Sequence, residues 1–204
     1  MSDIRHIVFD LGNVLIKWDS EIPYRRLIPD AAARRHFLTN VCSHDWNLEQ
    51  DRGRTWREAE NVLIAKHPEH AEMIRAFRKN WAEMIHGTVE ESVAILESLA
   101  KSGIDVTALT NWSAETFPWA RENFPLLQHF RGITVSGEVR LVKPDIAIYR
   151  HHALTFGLTP EKTLFFDDNA SNVEGARKAG WQAELFTDPS GMRRDLAKYG
   201  ISVR

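Results

Sequence analysis

Three apolar, β-branched segments of this chain each end on a polar side chain able to do chemistry, and helical patterns separate them. Residues 4–9 stop at Asp10-Leu11-Gly12-Asn13, residues 104–109 at Thr110-Asn111, and residues 163–166 at Asp167-Asp168-Asn169. Short apolar runs closed by turn-forming residues are the pattern of strands buried on both faces. A weaker fourth run, 183–186, precedes Thr187-Asp188-Pro189. Residues 89–101 carry Val93, Leu96, Leu99 and Ala100 at helical spacing, and helical patterns recur over 113–123, 147–156 and 169–179. Gly157 and Gly180 follow the last two, and glycine supplies the left-handed conformation at which helices commonly stop. Strands alternating with helices predict an α/β fold with a parallel sheet covered on both faces.

Residues 20–86 break the alternation. They hold no convincing strand and read as three or four helices, at about 21–39, 55–66 and 68–85, with a shorter one near 43–50. A helical insert directly after the first strand acts either as packing for the sheet or as a lid over the strand's carboxyl end.

Charge and composition narrow the function classes. The 204 residues include 26 Lys and Arg against 28 Asp and Glu, a formal net charge of −2. Such a balance offers no bulk attraction to nucleic acid or to an anionic membrane surface. No apolar run reaches the ~18 residues of a membrane span, and the first residues lack a signal peptide's apolar stretch. The single Cys42 rules out an internal disulfide and suits a reducing compartment. The expectation is a cytoplasmic protein without nucleic-acid or membrane partners, monomeric or a homodimer.

In an open parallel sheet, ligands bind outside the carboxyl ends of the strands. Asp10, Thr110 and the pair Asp167-Asp168 all stand at such ends, and Leu141-Val142-Lys143-Pro144-Asp145 supplies a lysine before a helix. Taken singly, these are ordinary turn and cap residues. Together they converge on one crevice. Three carboxylates within a few ångström repel by several kcal/mol per close pair even at an effective dielectric of ~20, so the cluster calls for a cation. Hard oxygen ligands with open positions suit Mg2+, whose coordination is commonly completed by water and substrate phosphate oxygens. With a lysine and a threonine hydroxyl beside it, the crevice becomes an electrostatic socket for a phosphoryl group, with a carboxylate available as nucleophile.

These segments, in this order, resemble the motifs of the haloacid dehalogenase superfamily. Ile7-Val8-Phe9-Asp10-Leu11-Gly12-Asn13 is similar to its first motif, Ala108-Leu109-Thr110-Asn111 to its second, the Lys143 segment to its third, and Phe165-Phe166-Asp167-Asp168-Asn169 to its fourth. The insert resembles the C1-type cap of subfamily IA. The Phe-Asp-Leu-Gly-Asn-Val start, Phe-Phe-Asp-Asp-Asn and the cap segment Asp51-Arg52-Gly53 are most similar to the sugar-phosphate phosphatase branch, the glucose-1-phosphate phosphatases in particular. The resemblance implies a Rossmannoid α/β core domain at 1–16 and 88–204 and a helical cap domain at 17–87. It implies a Mg2+-dependent phosphomonoesterase acting on a small-molecule phosphate ester, with a sugar 1-phosphate favoured.

It also implies roles. Asp10 is the nucleophile and passes through an aspartyl-phosphate. Thr110 binds a non-bridging oxygen, and Lys143 neutralises Asp10 and the phosphoryl group as a compact point charge. Mg2+ is held by Asp10, the Gly12 carbonyl and Asp168, with Asp167 direct or through water. Leu11, Gly12 and Asn111, with Asn13, line the phosphate site. Asn172 lies one turn past Asp168 and either faces the metal or is an ordinary surface amide. In the cap, Trp46, Asp51, Arg52 and Gly53 are expected on a loop. Trp46 or Trp56 would stack on a sugar, and Arg52 or Arg54 would meet hydroxyls or a second anion, or else all four are cap core and solvated surface. His151-His152 is expected at a helix surface.

Gly12 departs from the family's phosphatases, which carry there a second Asp that protonates the leaving alcohol. General acid catalysis contributes ~10²–10⁴ in rate, and its loss matters least for a leaving group that is already a stable anion. Two rival readings stand beside the phosphatase: a non-catalytic phosphosugar-binding sensor, and a 2-haloacid dehalogenase. The latter needs no Mg2+, which makes Asp167-Asp168 a burden, and it lacks the aromatic residue usual two positions after its nucleophile.

Overall fold

Side-chain alternation along the first strand sets the layers of the molecule. The structure of the protein, a computed structural model, describes residues 3–203. The chain forms β1 (His6–Phe9) and β2 (Ile16–Trp18). Five helices follow, α1 (Glu21–Leu27), α2 (Ala31–Asn40), α3 (His44–Asp51), α4 (Trp56–Lys66) and α5 (Ala71–Lys79), before the chain returns through β3 (Ile85–Thr88). The remainder runs α6 (Glu90–Lys101), β4 (Asp105–Thr110), α7 (Phe117–Asn123), β5 (Ile133–Val135), the short α8 (Ser136–Val139) and α9 (Ile146–Phe156). It ends with β6 (Thr163–Asp167), α10 (Ala170–Lys178), β7 (Gln182–Leu185) and α11 (Pro189–Lys198).

The main sheet has the order β5-β4-β1-β6-β7 and every neighbouring pair is parallel. β1 is central and needs apolar cover on both faces. Ile7 and Phe9 point into a core shared with Ile95, Leu96 and Leu99 of α6 and Leu196 of α11. Val8 points the other way, towards Ile148 and Tyr149 of α9 and Val173 and Ala176 of α10. The register puts Phe9 opposite both Ala108 and Phe166. Asp10, Thr110 and Asp167 therefore leave the sheet along one edge, on three adjacent strands.

The helical insert hangs from an antiparallel ribbon in which Ile16 of β2 faces Thr88 of β3 and Trp18 faces Ile85. Within the insert the rings of Tyr24, Phe37, Trp46, Trp56 and Phe77 pack at centroid separations of 5.2–6.2 Å, continuous with the core on one face of the sheet.

The structure corrects several expectations. The helix expected over 21–39 is two, because Pro29 has no N–H to donate and Asp30 instead caps α2, accepting from Ala33 N–H at 2.7 Å. The helix expected over 68–85 is confined to α5 between short 3₁₀ turns, and residues 85–88 are a strand. That strand was hidden because Ile-His-Gly-Thr has little apolar content and is satisfied by β2. α7 begins four residues later than expected from 113–123; Ser113 to Thr116 remain a loop at the end of β4. β5 and α11, too short or too polar to read from periodicity, complete the sheet edge and one helical layer. His152 is fully buried rather than at the surface, hydrogen-bonded to the hydroxyls of Thr107 on β4 (2.9 Å) and Thr134 on β5 (2.8 Å). Burial pulls its pKa down to about 3, so it is a neutral clamp between the two strands. Among the described residues no helix is long and apolar enough to cross a membrane.

Candidate active site

Lys143 organises the carboxyl edge of the sheet. Its segment has no regular structure of its own and is held from two sides. From β4, the Asn111 side chain pairs with the Lys143 backbone, its Nδ2 donating to the carbonyl at 3.0 Å and its Oδ1 accepting from the N–H at 2.9 Å. From α10, Gly175 packs so closely that a Cβ there would lie 2.5 Å from the Pro144 carbonyl oxygen. The ammonium group is thereby brought between two carboxylates, 2.8 Å from Asp10 Oδ1 and 2.6 Å from Asp167 Oδ2, with its side chain 1% exposed.

Asp167 is fully occupied. Besides Lys143, its oxygens accept from Asn172 Nδ2 at 3.0 and 3.1 Å and from the Asn169 N–H at 2.8 Å. Asn172 in turn is fixed by the Tyr149 hydroxyl, which donates to its carbonyl at 2.7 Å. Asp10 receives the Leu11 N–H at 2.7 Å, also on Oδ1. Asp168 is exposed and lies beside the Asn13 side chain. Asn13 adopts a left-handed φ of 54°, a conformation asparagine tolerates better than most residues. It also accepts from the Trp18 N–H at 3.0 Å, which ties the turn after β1 to β2.

The electrostatics follow from this packing. Burial pushes the Asp10 carboxyl up to about 7, against the pull of Lys143 and with the help of Asp167. Burial also raises Asp168, and Asp167 adds to it. For Lys143, burial works against the charge, but Asp10 and Asp167 more than offset it and hold its pKa above the usual lysine value. One ammonium thus pairs with two carboxylates, and a third stands alongside, each with an oxygen within 4.8 Å of the others. The donor set fits a small hard cation: ligand oxygens across an octahedral Mg2+ are ~4 Å apart. Because Asp167 is already saturated by hydrogen bonds, Asp10 and Asp168 are the carboxylates left to reach such an ion.

The crevice gathers Asp10, Leu11, Gly12, Lys143, Asp167 and Asp168, and Thr110, buried at the end of β4, stands beside them. Asn111 belongs to it through its side chain, as a brace for Lys143. Asn172 is buried rather than at the surface, and its amide braces Asp167. The cap residues divide. Trp46 lies on α3 and not on a loop. Its ring packs on Trp56 and Phe77 inside the insert and its indole N–H donates to the Ala59 carbonyl at 3.4 Å, so neither tryptophan presents a face to a sugar. Arg54 is spent within the insert on Gln50 Oε1 (2.8 Å) and the Trp46 carbonyl (2.9 Å). Arg52 crosses to the core and bonds Asp145 at 2.9 Å, two residues from Lys143. Asp51, singled out only as part of Asp-Arg-Gly, proves to be a partly buried carboxyl within the field of Asp10 and Lys143.

Comparison with known proteins follows the same lines. The chain is 26% identical over 196 residues to a drimenol cyclase of Aspergillus calidoustus, an alignment covering 95% of this chain and 36% of that protein. It spans between a third and a half of the length of the first curated relatives it matches. A haloacid dehalogenase family enzyme of Bacteroides thetaiotaomicron, solved with magnesium and inorganic phosphate, superposes with a TM-score of 0.69 at 22% identity, covering 91% of this chain and 95% of that one. An L-2-haloacid dehalogenase of Xanthobacter autotrophicus, with chloropropionic acid covalently bound, superposes with a TM-score of 0.65 at 19% identity, covering 98% and 84%. At these identities the superpositions establish the fold alone, and the fold hosts more than one chemistry. The haloacid dehalogenase-like hydrolase model matches residues 4–180, from β1 through the end of α10 with all the carboxylates of the crevice, and the chain belongs to that family.

Proposed function

We propose that the protein is a phosphomonoesterase that transfers the phosphoryl group of a small phosphate ester to Asp10 and then to water, with Mg2+ beside it. The observation that carries this reading is the Lys143 ammonium shared between Asp10 and Asp167, 2.8 and 2.6 Å away, with the Asp168 carboxylate adjacent. A dehalogenase needs no metal ion, and its chemistry gives the third carboxylate, Asp168, no task. A transferring phosphoryl group uses this concentration of charge, since its stabilisation is chiefly electrostatic. The Bacteroides relative solved with magnesium and phosphate is consistent with it.

Each residue then has a defined task. Asp10 Oδ2, the oxygen not engaged by Leu11 or Lys143, attacks phosphorus in line. A bond forms from Oδ2 to phosphorus, the bond to the ester oxygen breaks, and its electron pair stays with the leaving oxygen. Lys143, held by Asn111 and Asp167, stays in contact with Asp10 and offers its charge to the non-bridging oxygens. Thr110 supplies a hydrogen bond to those oxygens, while the Leu11 N–H stays on Asp10 Oδ1 and orients the nucleophile. Water then attacks phosphorus, the bond to Asp10 breaks, and the carboxylate is restored. Bound Mg2+, for which Asp10, Asp168 and the Gly12 carbonyl are the available ligands, adds positive charge against the phosphoryl oxygens.

The direct test is phosphate release from p-nitrophenyl phosphate with and without Mg2+, alongside chloride release from 2-chloropropionate. Phosphate release that requires Mg2+ is expected. Chloride release without metal, or binding of a metallofluoride phosphate mimic without any turnover, would overturn the reading in favour of a dehalogenase or of a phosphosugar-binding sensor.

Within this class the substrate is a sugar phosphate, with an anomeric phosphate favoured. Support comes from Gly12, which brings no acid to the position two residues after Asp10, and an anomeric oxygen leaves more easily than an ordinary alkoxide. A Cβ at Gly12 would meet nothing within 4 Å, and its backbone does not need glycine. Gly12→Asp should therefore fold and raise kcat/KM for glucose 6-phosphate relative to glucose 1-phosphate, by about 10-fold or more given what an acid usually contributes. An unchanged ratio would remove the leaving-group argument.

A further inference from the structure

The seam between insert and core closes around one residue to which the scheme above gives no task. Asp51 is the last residue of α3, and the two residues after it both touch the core. Arg52 Nη1 lies 2.9 Å from Asp145 Oδ2. Gly53, at a φ of 101°, sits where a Cβ would be 3.2 Å from the Gly137 carbonyl oxygen and 3.0 Å from Arg140 Cγ. The end of α3 is therefore pinned over the carboxyl edge of the sheet. The Asp51 carboxyl has no cationic side chain within ion-pair distance among the described residues. Its neighbours are the Asn47 amide, a long 3.4 Å from Oδ2, and the backbone N–H of Ser113, three residues beyond Thr110. The charges that reach it are those of Asp10 and Lys143. The Ser113 N–H, just past the end of β4, and the contacts of Arg52 and Gly53 thus hold the Asp51 carboxyl at the same carboxyl edge of the sheet as Thr110 and Lys143.

We propose that Asp51 is the proton donor to the leaving group, taking from the insert the task that Gly12 leaves vacant in the core. The inference rests on the phosphatase reading. In the first half-reaction the Asp51 O–H gives its proton to the ester oxygen as the bond from phosphorus breaks, and Asp51 becomes a carboxylate. In the second, that carboxylate takes a proton from the attacking water as the bond from phosphorus to Asp10 breaks, and the acid is restored. Burial supports the assignment, pushing Asp51 up to about 8, with Asp10 adding to the rise and the Ser113 N–H and Lys143 opposing it. A carboxylic acid kept neutral in a poorly solvated site can act as a donor at neutral pH. Such a weak donor and a leaving oxygen less basic than an alkoxide complement each other, which reconciles Asp51 with a preference for anomeric phosphates.

The test is the dependence of Asp51→Asn on the leaving group, measured with the Mg2+-loaded enzyme on p-nitrophenyl phosphate and phenyl phosphate. Loss of a donor should lower kcat/KM for phenyl phosphate by about 100-fold and leave p-nitrophenyl phosphate, whose anion needs no proton, little changed. The melting temperature and the calorimetric Kd for inorganic phosphate should be retained. Equal losses on both esters, or no loss on either, overturn the proposal. Failure of the unaltered protein to hydrolyse either ester is a different result, and it removes the phosphatase reading and this inference together. Should the variant not fold, the unaltered enzyme decides across a series of substituted aryl phosphates: a shallow dependence on leaving-group basicity supports the donor, and a steep one overturns it.

Discussion

Asp10→Asn is expected to lower turnover by on the order of 10⁴-fold or more, the scale on which an enzyme feels the loss of its covalent nucleophile. The amide keeps an oxygen for Lys143 and the Leu11 N–H but is a far poorer nucleophile, so no covalent phosphoenzyme should be trapped on quenching. The same variant carries a stability signature of the opposite sense. Burial raises Asp10 to about 7 in the fold, against ~3.9 in an unfolded chain. The folded protein then binds the proton more tightly, and its stability falls as pH rises from about 4 through about 7. Asn carries no such charge. Metal-free Asp10→Asn should melt at the same temperature as the parent or higher at pH 8, with the gap closing at pH 4. Measured activity within 10-fold of the parent would assign the nucleophile elsewhere, and a lower melting temperature at pH 8 would contradict the electrostatic account of the crevice.

Lys143→Met is expected to have the largest effect on the fold itself. The ammonium is the shared partner of two buried carboxylates, and removing one partner of a buried ion pair costs about 3–5 kcal/mol because the remaining charge is left uncompensated. For a chain of this size that corresponds to about 10 °C or more in melting temperature. Methionine matches the lysine stem as far as Cε and fills most of the same space, so lost charge rather than lost packing is the main cause. Acidification towards pH 5 should recover part of the loss, since protonated Asp10 no longer needs the ammonium. Turnover should disappear with the stability, and Lys143→Arg should not restore it. A planar guanidinium does not fit a slot shaped for a compact charge between oxygens 2.8 and 2.6 Å away. A variant as stable as its parent at pH 8 would show that the buried carboxylates do not depend on the Lys143 ammonium.

Much of this site is legible in the sequence because its parts are local signals. Ile-Val-Phe before Asp10, Ala-Leu before Thr110 and Phe-Phe before Asp167 each state that a buried strand ends on a polar group, and sheet topology brings such ends to one crevice. Lys143 carries a local signal of the same kind, just ahead of a helix. The braces do not read. That the Asn111 side chain holds the Lys143 backbone, and the Asn172 side chain holds Asp167, follows only from the packing.

The insert is the least legible part. Trp46 and Trp56 have the composition of a sugar platform and the positions of a core, because a helical pattern says which face is apolar and nothing about what that face meets. Asp51 is one acidic residue among many until the end of α3 is set against the core by Arg52 and Gly53. Element type, burial and the order of strand ends follow from hydrophobic periodicity, which acts over a few residues. The pairing of Lys143 with Asp10 and Asp167, the burial of the tryptophans and the docking of the end of α3 against the core depend on contacts between segments far apart in the chain. Those contacts are selected by the packing of the whole molecule and leave no periodic trace in any one segment.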